Sequence, residues 1–449
     1  MVRCNPDALR KPALRSSPFN NLEKIMYRLD TPDEPWTMYS ECVLEGQVDD
    51  ARFAAALRHA LTTHSMCRAR MRSDASGKPQ YVWEIPDQDE HWPLTICTAE
   101  DDDALQQRRL AFESEPVPLH VSPPLRVMLV HTPKGDRVLF LFNHILCDGM
   151  SMIRFMISIQ SHYLGTPDDR LEFDEFAIRN APQLLRSRSL VQFRNRLQTL
   201  SHYRRTLPSE TLRIKRRCKA KPAPGSAVYG VELIPFSVDE TRNLRKACNA
   251  PVMLNDLLLA GLALTIRRWN QRHDTELGPV GIMVPTDQRP REKWRRDAIA
   301  NFSSGVVVSL PADAPDDLGE AARLLNQQSA ELTRVDAAGY VMELMRLPLW
   351  LLILLGRWLL PPPREQTTVL TNLGKIPRQG LDMGDAGKVT EVYGAPPLPI
   401  RWRIGIGATI GNNRLFLAIR YHRSQFDQAA AAEFAAMYRQ CLMTETVTD

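Results

Sequence analysis

Between residues 186 and 222 the chain carries twelve lysines and arginines against a single acid, Glu210. That is a local charge of +11 in a protein of 449 residues whose formal total is only +5, so the remaining residues sum to −6. The stretch divides the chain into two parts of similar size, each long enough to bury its own core. Leu190, Phe193, Leu197 and Leu200 recur at helical spacing and predict an amphipathic helix, and the following KAKPAPGSA has linker composition. The expected organisation is an N-terminal part over 1–185, a basic helix and linker over 186–222, and a C-terminal part over 223–449.

Strands and helices alternate on both sides. Thr37 to Leu44 alternates as a strand, and Asp49 or Asp50 caps a helix running to about Thr63. Leu125 to His131 and Arg137 to Asn143 read as strands around a turn with Pro133, Lys134 and Gly135, followed by a helix over about 151–164 that Gly165 ends. In the second half a long helix is expected from about Asn255 to Trp269, with strands at 280–285, within 301–311 and at 367–373. Ile404 to Ile410 and Arg414 to Tyr421 form a hairpin across Gly411, Asn412 and Asn413, and a helix over 428–442 closes the chain. The fold class is therefore mixed α/β, in two units.

Hydrophobic residues at 44% and charged residues at 24% exclude disordered and collagen-like chains. The N-terminus lacks the apolar core of a secretory signal. The eight cysteines are scattered without CxxC spacing or a histidine cluster, which argues against a metal site and for free thiols in a reducing cytoplasm. The most apolar run, Leu347 to Leu360, would extend about 21 Å as a helix, short of a hydrocarbon core of about 30 Å. It reads first as a buried helix, with an interfacial helix or the wall of an acyl-chain tunnel as alternatives.

No nucleophile elbow, P-loop, HExxH or dinucleotide fingerprint is present. One constellation remains. Asn143-His144-Ile145-Leu146-Cys147-Asp148-Gly149 places a histidine at the end of an apolar strand, and among ten histidines only His144 has an aspartate four residues on. A neutral imidazole there can take a proton from a hydroxyl or amine at cytoplasmic pH. Gly149 permits a sharp turn and leaves its amide uncovered. Asp148 either orients the imidazole or locks the loop through an arginine.

These residues resemble the HHxxxDG motif of the chloramphenicol-acetyltransferase-like superfamily, which includes condensation domains of nonribosomal peptide synthetases, plant-type HxxxD acyltransferases, wax ester synthases and mycobacterial polyketide-associated acyltransferases. His64-Ser65-Met66-Cys67-Arg68 is similar to the family's RHxxLR element, and Val284 to Arg289 to its VPVxxR strand. Asn301 to Pro311 resembles the GNxxxxxxxxLP stretch, Thr371 to Gly374 the (S/T)NxG strand, and Tyr421, His422 and Phe426 a late strand-to-helix segment. Two departures stand out. Asn143 replaces the first histidine, and residues 301–305 read NFSSG where plant enzymes have DFGWG.

The resemblance implies two similar subdomains in a V with a tunnel at their interface, and acyl transfer from a thioester to a hydroxyl or amine with His144 as general base. It implies a structural Asp148 paired with Arg68 or Arg289, and oxyanion or substrate contacts from Gly149, Ser303, Ser304, Thr371 or Asn372. The donor would be acyl-coenzyme A or a phosphopantetheine thioester on an acyl carrier protein, with no permanently bound cofactor and no metal. The alternatives are a membrane-associated enzyme of wax ester or diacylglycerol synthesis and a non-catalytic binding module. The basic segment is then a solvated face, a contact for the anionic inner membrane surface or a steering patch for coenzyme A or an acidic carrier. Nucleic acid is not expected, because no stacking aromatics accompany the charge.

Overall fold

The computed structural model describes residues 16–444 except 169, 172, 219–224, 274–276, 290–295 and 360–365. Lys219, Lys221 and most of the expected linker lie outside the described residues, as do Cys4 and the end of the apolar run from Leu360 to Pro363.

Three strands build the centre of the first unit, Thr37–Leu44 buried along its whole length and Leu125–His131 and Arg137–Asn143 along most of theirs. Thr37–Leu44 and Arg137–Asn143 pair antiparallel, Leu125–His131 pairs antiparallel with Arg137–Asn143, and Leu94–Thr98 adds parallel to Leu125–His131. Val389–Ala395 completes this five-stranded sheet beside Thr37–Leu44. A smaller sheet joins Ser16–Pro18, Pro79–Glu84 and Arg70–Ser73. Helices Asp50–Thr63 and Gly149–Leu164 pack on each other. Asp49 caps the first of them through the Arg52 amide, and Gly165 ends the second at φ 67°, a left-handed conformation natural to glycine.

The second unit is a six-stranded sheet in the order Ser303–Leu310, Val280–Asp287, Thr368–Lys375, Ile404–Gly411, Arg414–His422, Tyr229–Pro235. Its core gathers side chains from the helices Leu254–Arg272, Leu318–Arg334 and Gln428–Thr444. Leu254–Arg272 is buried almost all round, and a Cβ at Gly261 would lie 2.6 Å from a Leu442 methyl. The hairpin turns through Asn412 and Asn413 at φ 49° and 62°, the backbone that a two-residue turn between twisted strands requires.

The chain divides between these units in an interleaved way. The first holds residues up to Leu185 together with Arg289–Phe302 and Lys375–Val392, and the second holds Arg186–Gln288, Ser303–Gly374 and the residues from Tyr393 onward. The architecture is mixed α/β with helix-flanked sheets in both units.

Two expectations are corrected. Helix Leu349–Leu359 is not a buried helix: Leu352 is covered, but Trp350, Ile353, Leu354 and Trp358 stand between 57% and 67% exposed. Helix Leu190–Thr206 forms, yet Leu190, Phe193 and Leu197 face solvent, whereas an apolar stripe at that spacing ordinarily faces a core. The reason is Arg196, which turns inward to the carboxylates of Asp336 at 2.7 Å and Glu343 at 2.8 Å. That pairing places Thr199 and Tyr203 on the buried side and sends the leucines out.

Candidate active site

Strand Arg137–Asn143 ends on a fully buried Asn143 whose side chain is used at both ends. Its Nδ2 donates to Asp30 Oδ2 at 3.0 Å and to the Val117 carbonyl at 3.1 Å, while its Oδ1 accepts from the Ile145 amide at 3.0 Å. Asparagine therefore does a bracing job here, anchoring the turn that follows.

His144 is the first residue of that turn. Its amide donates to the Trp36 carbonyl at 2.8 Å, and its carbonyl accepts from Asn301 Nδ2 at 2.8 Å, so its backbone is pinned on both sides. Nδ1 lies 2.9 Å from the Cys147 carbonyl. A carbonyl can only accept, so this contact assigns the proton to Nδ1 and leaves the lone pair on Nε2. The Trp36 ring lies nearly parallel to the imidazole, 13° between planes, with centroids 6.4 Å apart. Burial lowers the pKa of the ring, opposed in part by the Cys147 carbonyl and the Asp148 charge, and the side chain still keeps some solvent-accessible surface. The result is a neutral imidazole held in one orientation. Cys147 offers no thiolate beside it, because burial and the Asp148 charge push its thiol well up.

Asp148 is engaged on the other side of the turn. It caps helix Gly149–Leu164, with Oδ1 accepting from the Ser151 amide at 3.0 Å. Arg289 binds it through two guanidinium nitrogens at 2.7 and 2.8 Å, and the Phe302 amide donates to Oδ2 at 2.9 Å. Both side chains of the ion pair are only 6% exposed. Burial alone would raise the Asp148 pKa, but Arg289 and the two amides hold it below the ordinary carboxylate value. Arg289 also donates to Ser151 Oγ at 2.7 Å and lies over the Phe302 ring.

Of the two arginines expected for Asp148, Arg289 is the partner and Arg68 is not. Arg68 pairs with Asp89 at 2.6 Å and donates to the Pro86 carbonyl. Gly149 opens the helix, where first-turn amides have no acceptor within the helix itself.

Ser303, Ser304, Thr371 and Asn372 belong to the second unit, on the strands Ser303–Leu310 and Thr368–Lys375. The Ser304 hydroxyl is already committed to the Ala338 carbonyl at 2.9 Å, which counts against a substrate contact from that side chain. Asn372 is exposed, with Nδ2 on Asn255 Oδ1 at 3.1 Å and Oδ1 accepting from the Gly374 amide at 2.9 Å. Among the described residues no group of three His, Cys, Asp or Glu side chains is placed to hold a metal ion.

Four further residues hold the histidine turn, of which only Asn301 lies in a stretch that the sequence singles out. Arg179 donates to the Leu146 carbonyl at 3.0 Å and is held by Glu23 at 2.7 Å in an almost fully buried pair. Asn301 and Trp36 fix His144 as described. Glu23 has a second task, since its side chain also closes a capping box with Asn20 at the start of helix Asn21–Leu29.

A model of the condensation domain matches residues 25–345. An uncharacterized protein of Mycobacterium tuberculosis (strain H37Rv) is 30% identical over 432 residues, 93% of this chain and 97% of that protein. Tyrocidine synthase 3 of Brevibacillus parabrevis is 28% identical over 158 residues, 34% of this chain and 2% of that much longer protein. Among solved structures, the first condensation domain of the CDA synthetase superposes with a TM-score of 0.70 at 15% identity, covering 97% of this chain and 98% of that one. The epimerization domain from the third module of tyrocidine synthetase B gives 0.66 at 16% identity, covering 96% and 97%. By its sequence match and its fold, the chain belongs to the condensation-domain family.

Proposed function

We infer that the protein is an acyltransferase in which His144 acts as the general base. Members of the condensation-domain family transfer acyl or peptidyl groups held as thioesters on carrier proteins. The observation that carries the reading here is the Nδ1 contact with the Cys147 carbonyl, which leaves Nε2 as the lone-pair nitrogen of a neutral ring.

In this reading Nε2 takes the proton from an acceptor hydroxyl or amine as that atom attacks the thioester carbonyl. The tetrahedral intermediate collapses with cleavage of the C–S bond, and the imidazolium returns its proton to the departing thiolate. The Gly149 amide, at the positive end of its helix, is the candidate donor to the oxyanion, and a single well-placed donor contributes about 2.7–4 kcal/mol. Asp148 and Arg289 act as positioning residues that fix the turn and the helix start. The donor is acyl-coenzyme A or an acyl-pantetheine on a carrier protein, and the product is an ester or an amide.

The test is release of free thiol from a panel of acyl-coenzyme A and acyl-pantetheine donors offered with hydroxyl and amine acceptors. Wild type should turn over at least one pair, and His144→Ala should lose about 10²–10⁴-fold of that rate while keeping its fold. A folded alanine variant as fast as wild type would remove His144 from the mechanism.

A further inference from the structure

The apolar helix Leu349–Leu359 and the basic helix Leu190–Thr206 take no part in the chemistry above, and both expose what soluble helices normally cover. In Leu349–Leu359 the exposed Trp350, Ile353, Leu354 and Trp358 occupy an arc of about 140° at 100° per residue, with the covered Leu352 outside it. In Leu190–Thr206 the exposed Leu190, Phe193, Arg194, Leu197, Arg204 and Arg205 share an arc of about 120°. One short helix, Ala337–Leu344, joins them. Arg196 binds Asp336 and Glu343 at its two ends, and its Tyr340 hydroxyl donates to the Leu359 carbonyl at 2.9 Å. The two outward faces therefore belong to one helix cluster of the second unit.

We propose that this cluster docks the protein on a lipid surface carrying anionic headgroups, with the Trp350–Trp358 face at the level of the acyl chains and the exposed Arg194, Arg204 and Arg205 against the headgroups. Tryptophan favours that interface because its ring is apolar and its N–H is polar. Apolar surface and arginine together match a membrane, and residues 176–209 and 344–364 contain no aspartate or glutamate to repel it. A second copy of the chain is a poorer occupant, because a symmetric dimer would bring the same arginine-rich patch against itself. No described helix is long and apolar enough to cross a bilayer, and an eleven-residue helix fits a contact parallel to the surface.

The experiment is flotation of the full chain with vesicles of phosphatidylcholine alone or mixed with phosphatidylglycerol, at low and high salt. The expected result is partition onto the mixed vesicles that weakens with salt. Trp350→Ser with Trp358→Ser should lower that partition at least about tenfold. Arg194→Gln with Arg205→Gln should lower it about 25-fold, at about fivefold per surface arginine. These side chains are exposed, so both double variants should keep the wild-type melting temperature. The proposal is overturned if wild type does not float with the mixed vesicles at low salt, or if the tryptophan pair makes no difference. It is equally overturned if the chain forms a concentration-dependent dimer that the tryptophan pair disperses, which would assign the face to a second copy.

Discussion

Replacing Asp148 by asparagine removes one charge from the buried Asp148–Arg289 pair while keeping a residue that caps helices well. Arg289 is then left desolvated, with its carboxylate partner reduced to an amide. Losing one member of a buried ion pair costs about 3–5 kcal/mol, and no discount for solvent applies at 6% exposure on both sides. For a unit of roughly 200 residues, each kcal/mol lowers the melting temperature by about 2–4 °C, so the fall should be about 6–20 °C. Arg289→Met should fall similarly, leaving the carboxylate with only the Ser151 and Phe302 amides. The double variant should lose less than the two singles together, by about 0.5–3 kcal/mol of coupling. Acidity supplies an internal control. The folded Asp148 pKa lies below the unfolded value, so its stabilisation is complete above the ordinary carboxylate range and disappears as pH falls toward the folded pKa. The gap between wild type and Asp148→Asn should therefore be widest near neutrality and narrow on acidification. Calorimetry of the four proteins at both pH values tests this. A single variant melting within about 2 °C of wild type, or full additivity in the double, would refute the account.

Arg68→Ala should lose no more than about 1 kcal/mol by thermal melting and retain thiol-release activity, since its Asp89 partner is partly exposed and outside the histidine turn. Asn143→Ala strips one donor from Asp30 and one from Val117, and about 1–3 kcal/mol of stability should go with them in denaturant titration. Arg179→Met leaves Glu23 buried without its cation and the Leu146 carbonyl without its donor, so a loss of about 3–5 kcal/mol and a drop in kcat are expected. Because burial lowers the His144 pKa, kcat/KM should stay flat from neutrality down through the ordinary histidine range and fall only below it. An acid limb at or above pH 6.5 would contradict a desolvated base.

Much of this fold was legible along the chain because its signals are local. Thr37–Leu44, Leu125–His131 and Arg137–Asn143 form where their apolar runs and turn residues put them. Helix Gly149–Leu164 begins two residues before the expected start, since Asp148 rather than a later residue accepts from the Ser151 amide. The short strands Ser16–Pro18 and Arg70–Ser73 were not legible, being too brief and polar for a period-two pattern. The same limit applies to the site. His144 could be singled out from one strand end and its spacing to Asp148, whereas Arg179, Asn301 and Trp36 reach the turn from distant parts of the chain. The apolar spacing predicts helix Leu190–Thr206, but its outward face is set by Arg196 meeting Asp336 and Glu343 some 140 residues away. Periodicity reports that a helix has two faces, and long-range ion pairs can decide which one is turned inward.

The interleaved chain path also bears on how the protein is made. Asp148 emerges from the ribosome long before Arg289, and Thr37–Leu44 long before Val389–Ala395, its neighbour in the sheet. During synthesis the first unit must therefore wait, with a desolvation-prone aspartate and an open strand edge, while most of the second unit is translated. A fragment ending at Leu185 would be fixed permanently in that unfinished condition. The histidine turn, although encoded in the first third of the chain, thus lacks its Arg289 and Asn301 contacts until those residues have been translated.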